Sequence, residues 1–298
     1  MATRIVKSPV KTGDARDRSR AIGSILVAAG RLSEADIEQI HNLAVETGAK
    51  FGDAAIQLNL VSSEDIEFAL SMQYHYPILS HGPRGTVANA VVAAYRPQSA
   101  IVESLRTLRS RLAMGWLNNV DRSVLAIVSP QRGDGRSWFA ANLATVFAQA
   151  GQRTLLIDAD MRHPGQHALF NLPNEVGLSA LLTGRAGRDA TIRVHPQLRL
   201  YVMPAGPRPP NPQELLSGQI FDFVLNRFAS EFDLVVIDTP AASNSADAEV
   251  LAARAGAAVL LSREDHTHPA KLRNTMDGLI RSGVKVIGSV LNERIKRR

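Results

Sequence analysis

From residue 123 onward the chain alternates between two kinds of segment, and that alternation limits its fold more than any other feature. "SVLAIVS", "RTLLIDAD", "LRLYVMPAG", "FDLVVIDTP", "AGAAVLLS" and "VKVIGSVLN" are apolar runs of strand length, continuous rather than broken by polar residues. Such runs suit strands buried on both faces. Stretches of helical pattern, such as "SWFAANLATVFAQAG" and "NPQELLSGQIFDFVLNRF", lie between them. The order predicts an α/β fold: a mostly parallel sheet covered by helices, with ligands beyond the carboxyl ends of the strands.

At one of those ends "VSPQRGDGRSW", residues 128 to 138, leads from strand into helix. A helix opening at Ser137 turns its free N–H groups and positive dipole end toward the loop, which suits a phosphate. Gly133 and Gly135 let the backbone wrap closely with N–H groups inward, and Ser137 supplies the hydroxyl that a phosphate loop offers to Mg²⁺. The pattern G-x-x-x-x-G-K-[ST] nevertheless fails twice, with Pro130 at the first Gly and Arg136 at the Lys.

Two more strand ends are acidic. "LLIDAD" carries Asp158 and Asp160, which strand alternation aims the same way, and "LVVIDTP" carries Asp238. A carboxylate ending an apolar strand is unfavourable in a core but well placed to hold Mg²⁺ or its waters beside phosphates.

Ahead of this region, residues 21 to 82 hold a faint repeat that places Gly23 over Gly52, Leu32 over Val61 and Ile37 over Ile66, a constant offset of 29. "SEAD" and "SSED" open the second helix of each copy as N-cap signals, so a small helical domain of two similar halves is expected. Residues 1–20, with six Lys or Arg against two Asp, read as a disordered basic arm. Residues 83–99 read as a Pro-marked linker, and 100–298 as the nucleotide-binding domain. Glu103, Arg106 and Arg109 recur every three residues on the helix "IVESLRTLRSRLAMGWL" and share a face.

The net charge of +6 is carried by the tails, +4 in residues 1–20 and +3 in "LNERIKRR", so no specific nucleic-acid partner is expected. The chain has no Cys and no apolar run near the roughly 20 residues of a membrane helix, which predicts a cytoplasmic protein.

Taken in order, these motifs carry a resemblance. Residues 97–298 resemble the cytoplasmic domain of bacterial tyrosine kinases of exopolysaccharide chain-length control, in the deviant P-loop NTPase group that includes the partitioning ATPases. "ESLRTLRSRL" is similar to an oligomerisation helix, "GDGRS" to the phosphate loop and "LLIDADMRHPGQHALF" to the second acidic motif; "GLSALLTG", "PAGPRPPNPQELL", "FDLVVIDTPAASNSADA" and "VLN" follow. The helical module with the Arg-bearing loop resembles soluble kinase-like proteins of the EpsG type. The module alone is similar to the N-terminal motif of type II secretion and pilus ATPases, some of which bind cyclic di-GMP. That likeness implies cyclic di-GMP contacts at Arg20, Gly23, Gly30, Gly52 and Gln73, although Asn59 and Ala44 depart from the motif.

The kinase resemblance implies ATP and Mg²⁺ as cofactors, with the triphosphate held by Gly133, Asp134, Gly135, Arg136 and Ser137. Ser137 and Asp158 would lie near Mg²⁺, Asp238 would orient it through water, and Asn292 would touch adenine. Asp158, Asp160 and Arg136 would be catalytic, Asp160 positioning or deprotonating the attacking hydroxyl during transfer of the γ-phosphoryl group to tyrosine, or during hydrolysis. Glu103, Arg106 and Arg109 would serve homo-oligomerisation, and the partner would be a membrane chain-length or polysaccharide export protein that holds the chain at the inner membrane. Three departures stand out: Arg136 for Lys, the large Trp138 after the loop, and no C-terminal tyrosine cluster, the tyrosines being Tyr74, Tyr76, Tyr95 and Tyr201. They leave open a catalytically impaired scaffold gated by cyclic di-GMP and, on the basic tails, a partitioning-type DNA-associated ATPase. His266 and His268 read as a polar loop ahead of a helix starting at Pro269 rather than as a metal pair.

Overall fold

The computed structural model describes residues 15–73, 79, 87–119, 123–243 and 245–293, with side chains from residue 22 onward. It divides into two compact units, Met1–Ser80 and His81–Arg298.

The first unit is two copies of a helix–turn–helix: α1 (Ala15–Ala28) with α2 (Glu34–Thr47), and α3 (Phe51–Gln57) with α4 (Ser63–Gln73). Helix α1 begins inside the stretch expected to be a disordered arm; residues 1–14 of that arm lie outside the described residues. Ser33 caps α2 with the reciprocal bond to Asp36, and Ser62 and Asp65 repeat the arrangement at α4. A Cβ on Gly23 would stand 3.1 Å from Ile37, and one on Gly52 would stand 3.1 Å from Ile66. The glycines therefore let the paired helices close on each other. Gly30 ends α1 at φ 70°, and Asn59, its counterpart one repeat later, takes φ 54°. Asn substitutes there because it is among the few residues that visit the left-handed region readily. Leu26, Ile40, Ala54, Ala55 and Ala69 have no exposed surface and form the small core.

The second unit opens with α5 (Val92–Tyr95) and α6 (Ala100–Gly115), followed by β1 (Val124–Val128), α7 (Arg136–Gln149) and β2 (Thr154–Asp158). Next come α8 (Gln166–Leu169), α9 (Leu178–Leu182), β3 (Ile192–Arg193), β4 (Leu200–Met203), α10 (Pro212–Ser217) and α11 (Gln219–Glu231). The chain closes with β5 (Leu234–Asp238), α12 (Asp247–Ala255), β6 (Ala257–Arg263), α13 (Pro269–Arg281) and β7 (Lys285–Asn292). The sheet has seven strands in the order β3-β4-β2-β5-β1-β6-β7, parallel except for the antiparallel pair β3–β4. Strands β1, β2 and β5 are buried along their whole length, as continuous apolar runs require. Their carboxyl ends therefore bring the Gly-rich loop, Asp158 and Asp238 to one edge of the sheet.

Two expectations are corrected. The stretch 211–228 is not one helix: Gly218, at φ −73° and ψ 155°, ends α10 and opens α11. The segment expected to link the domains is in part a packed element. Val87, Val91, Ala93, Ala94 and Tyr95 are buried, and Asn142 of α7 accepts from the Ala93 N–H at 2.9 Å and donates to the Ala90 carbonyl at 3.2 Å. A buried backbone needs such partners, and α7 supplies them from polar side chains on its otherwise apolar surface.

Candidate active site

The Gly-rich loop between β1 and α7 is built by its own side chains. Asp134 is fully buried; its carboxylate accepts the Gln131 N–H at 2.7 Å and the Thr267 hydroxyl at 2.6 Å. Both carboxylate oxygens are thus engaged in shaping the loop, which leaves the backbone N–H of Asp134, not its side chain, for a phosphate. Gly133 and Gly135 stand at φ 88° and 97°, as predicted for a backbone that wraps with its N–H groups inward.

Arg136 is also redirected. Its guanidinium is buried and turned into the protein, donating from Nε to the Thr239 carbonyl at 2.9 Å and from one terminal nitrogen to the Gln131 carbonyl at 2.7 Å and the Ser129 hydroxyl. A planar fork can serve several acceptors at once where a Lys ammonium could not hold the same geometry. Burial lowers its pKa, while the charges of Asp238, Asp160 and Asp134 oppose that shift. The position expected to grip phosphate thus ties the loop to the end of β5.

Asp158 and Asp238 meet in register at the ends of neighbouring parallel strands, both without exposed surface. Asp158 accepts from the backbone N–H groups of Asp160, Gly165 and Gln166 at 2.9–3.2 Å. Burial and the charge of Asp238 nevertheless hold its pKa well above the ordinary value. Burial pushes Asp238 up to about 6, opposed by hydrogen bonds from Gln166 and Ser137. Asp160, slightly exposed, accepts from the His163 N–H at 2.9 Å.

Gln166, which nothing in its local sequence singles out, joins these parts. Its amide donates to the Asp238 carboxylate at 2.8 Å and to the Ser137 carbonyl at 3.0 Å, while its backbone N–H reaches Asp158. Gln166 Oε1 and Asp238 Oδ1 are buried without a hydrogen-bond partner among the described residues. Two orphaned buried oxygens beside a Ser hydroxyl and a second carboxylate are the donor set that Mg²⁺ and its waters would satisfy. Among the described residues there is no group of three His, Cys, Asp or Glu that could hold a metal alone. A divalent ion there would complete its shell with water and phosphate oxygens.

The remaining expected positions are dispersed. Asn292 sits at the loop rather than free beside it: its amide donates to the Asp134 carbonyl at 3.1 Å, and a Cβ on Gly135 would collide with it. On α6, Glu103 pairs with Arg106 at 3.2 Å, whereas Arg109 leaves that pair and donates to the Val146 carbonyl in the last turn of α7 at 3.0 Å. Tyr95 is buried with its hydroxyl on the Val87 carbonyl, and Tyr201 is half-buried against Phe232; Tyr74 and Tyr76 lie outside the described residues. In the first unit, Gly23, Gly30 and Gly52 are accounted for by helix packing and turn closure, Gln73 Oε1 is buried with no hydrogen-bond partner among the described residues, and the side chain of Arg20 is outside those described. His266 is no bystander: its Nε2 lies 2.9 Å from the Arg132 carbonyl.

No family model matches the chain. A putative tyrosine-protein kinase CapB of Staphylococcus aureus is 37% identical over 198 residues, spanning 66% of this chain and 86% of that protein. The tyrosine-protein kinase YwqD of Bacillus subtilis is 35% identical over 202 residues, 68% of this chain and 85% of its own. Among solved structures, the chimerical protein CapA2B2 superposes with a TM-score of 0.66 at 32% identity, covering 76% of this chain and 98% of that one. The kinase domain of Escherichia coli tyrosine kinase ETK gives 0.65 at 31%, covering 70% and 81%.

Proposed function

The chain belongs to the bacterial tyrosine-protein kinases, and from that premise we propose that it binds Mg-ATP at the 129–137 loop and transfers the γ-phosphoryl group to a tyrosine of another polypeptide. The observation that carries this reading is the buried set of Asp158, Gln166 and Asp238, joined to half-buried Ser137, beside a loop with two left-handed glycines. Mg²⁺, when bound, supplies charge neutralisation on the phosphates. The chain's own groups do the positioning. The amides of Gly133–Ser137 and the α7 N-terminus receive the phosphate oxygens, Ser137 and Asp238 orient the cation shell, and Asp160 takes the proton of the attacking tyrosine hydroxyl as its oxygen bonds to the γ-phosphorus and ADP leaves.

Among the described tyrosines, Tyr95 is locked in the core and Tyr201 is half-buried against Phe232, which favours an acceptor on another polypeptide. The acceptor is read as a membrane chain-length or polysaccharide export protein. No helix among the described residues is long and apolar enough to cross a membrane. The test is incubation of the full chain with γ-labelled ATP, Mg²⁺ and the cytosolic tyrosine-bearing peptide of the partner, beside Asp158→Ala. Labelled tyrosine that vanishes in the variant is expected; neither label nor released phosphate from the wild type overturns the reading.

A further inference from the structure

Three consecutive carbonyls of the phosphate loop are held from outside the loop. The Arg132 carbonyl accepts from His266 Nε2 at 2.9 Å, the Gly133 carbonyl from the Arg263 guanidinium at 2.9 Å, and the Asp134 carbonyl from the Asn292 amide at 3.1 Å. The contact to a carbonyl assigns the hydrogen of His266 to Nε2. Thr267 adds a fourth tie, its hydroxyl donating to the Asp134 carboxylate at 2.6 Å and accepting the Arg263 N–H at 2.7 Å. Gln131 returns a bond from its amide to the His266 carbonyl at 3.2 Å.

The geometry of the peptide bond gives these ties a consequence. In a trans peptide the C=O and N–H of one unit point in opposite directions. Holding the carbonyls of 132, 133 and 134 toward the β6–α13 turn and the end of β7 directs the N–H groups of Gly133, Asp134 and Gly135 the other way, into the concave side of the loop. Such a run of aligned amides is an anion-binding nest. The turn that supplies the ties is itself fixed: Asp265 adopts φ 54°, and the N–H groups of His266 and Thr267 close on the Arg263 carbonyl at 3.2 and 2.9 Å. There is no slack at the contact, since a Cβ on Gly133 would stand 3.1 Å from His266 Nε2.

We propose that the turn 263–267, through His266 and Thr267, is a positioning element that sets the affinity of the phosphate loop for a nucleoside diphosphate or triphosphate. With Arg136 committed to the end of β5, the aligned amides carry more of the phosphate recognition, so their orientation matters more. This inference rests on the nucleotide-binding reading of the site.

The test measures Mg-ADP binding by calorimetry on the full chain, for wild type, His266→Ala, His266→Gln, Thr267→Val and Thr267→Ser. Hydrogen exchange of the Gln131 amide, which the Asp134 carboxylate holds, is followed without nucleotide. His266→Ala is expected to weaken Mg-ADP about five- to tenfold, the worth of one hydrogen bond. His266→Gln, whose amide can reach the same carbonyl, should restore affinity to within about twofold. Thr267→Val should speed exchange at Gln131 and Thr267→Ser should not. A merely structural role would lower the folded fraction without changing the affinity of what remains folded. Unchanged affinity in His266→Ala together with unchanged exchange in Thr267→Val overturns the proposal. If the wild type itself fails to bind Mg-ADP, the nucleotide reading falls, and the exchange experiment alone decides whether the turn shapes the loop.

Discussion

Asp158 and Asp238 face each other across neighbouring strands with neither side chain exposed, and Gln166 bonds to both, by its backbone to one and its amide to the other. Two carboxylates in one buried site resist simultaneous ionisation unless a cation joins them.

The pH dependence of stability follows. Asp238 binds its proton more tightly folded than unfolded, so between the ordinary value of 3.8 and about 6 the folded state holds more protons and stability falls as pH rises. Asp238→Asn should flatten that decline in thermal unfolding. Mg²⁺ favours the ionised pair, so it should raise the melting temperature more at about pH 7.5 than at about pH 5. Equal Mg²⁺ stabilisation at both would contradict the assignment.

Arg136 gives a second prediction, because its bonds to Ser129, Gln131 and Thr239 are structural. Arg136→Met should destabilise the second unit by about 3 kcal/mol, as it leaves buried acceptors unpaired. Arg136→Lys should lower the melting temperature less and strengthen Mg-ADP binding, since the ammonium is free to turn toward phosphate. Weaker binding in Arg136→Lys would show that the guanidinium itself grips the nucleotide.

Gln166→Leu removes the amide that bridges the Ser137 carbonyl and Asp238. A loss of about 1–3 kcal/mol in denaturant unfolding is expected, together with weaker Mg²⁺ dependence of nucleotide binding. A variant as stable as the wild type would remove Gln166 from the site's framework.

In the first unit, Gly52→Val should destabilise by about 1–3 kcal/mol, because its Cβ meets Ile66 at 3.1 Å and cannot be absorbed without a shift. Combining Gly52→Ala with Ile66→Ala, which removes the Cγ2 that the new Cβ would meet, should cost less than the sum of the two single changes. Additive effects would mean that the two residues do not pack as described.

Elements whose signal is local were legible in the sequence. The strands β1, β2, β4, β5, β6 and β7 follow from their apolar runs, and the repeated caps at Ser33 and Ser62 from residue type and spacing. Strand β3 was missed because two residues, Ile192 and Arg193, leave no periodic pattern. The direction of the Arg136 side chain was illegible for a different reason: a cation in a Gly-rich loop reads as a phosphate ligand unless the acceptor at Thr239, 103 positions later, is known. Gln166 and His266 were hidden in the same way, since their partners lie 72 and 134 positions away in sequence. Burial of Val87, Val91 and Ala93–Tyr95 depends on contacts with Asn142 and Gln149 of α7, about 50 positions later, which no local pattern carries.

The most direct measurement of the central claim is the calorimetric affinity of the full chain for ADP with Mg²⁺ and with the metal chelated, in wild type and Asp158→Asn. The buried carboxylates, the Ser137 hydroxyl and the looped amides together predict binding that tightens with Mg²⁺ in the wild type and loses that gain in the variant. Affinity that ignores Mg²⁺, or no binding at all, would contradict the assignment of this strand edge as a metal-nucleotide site.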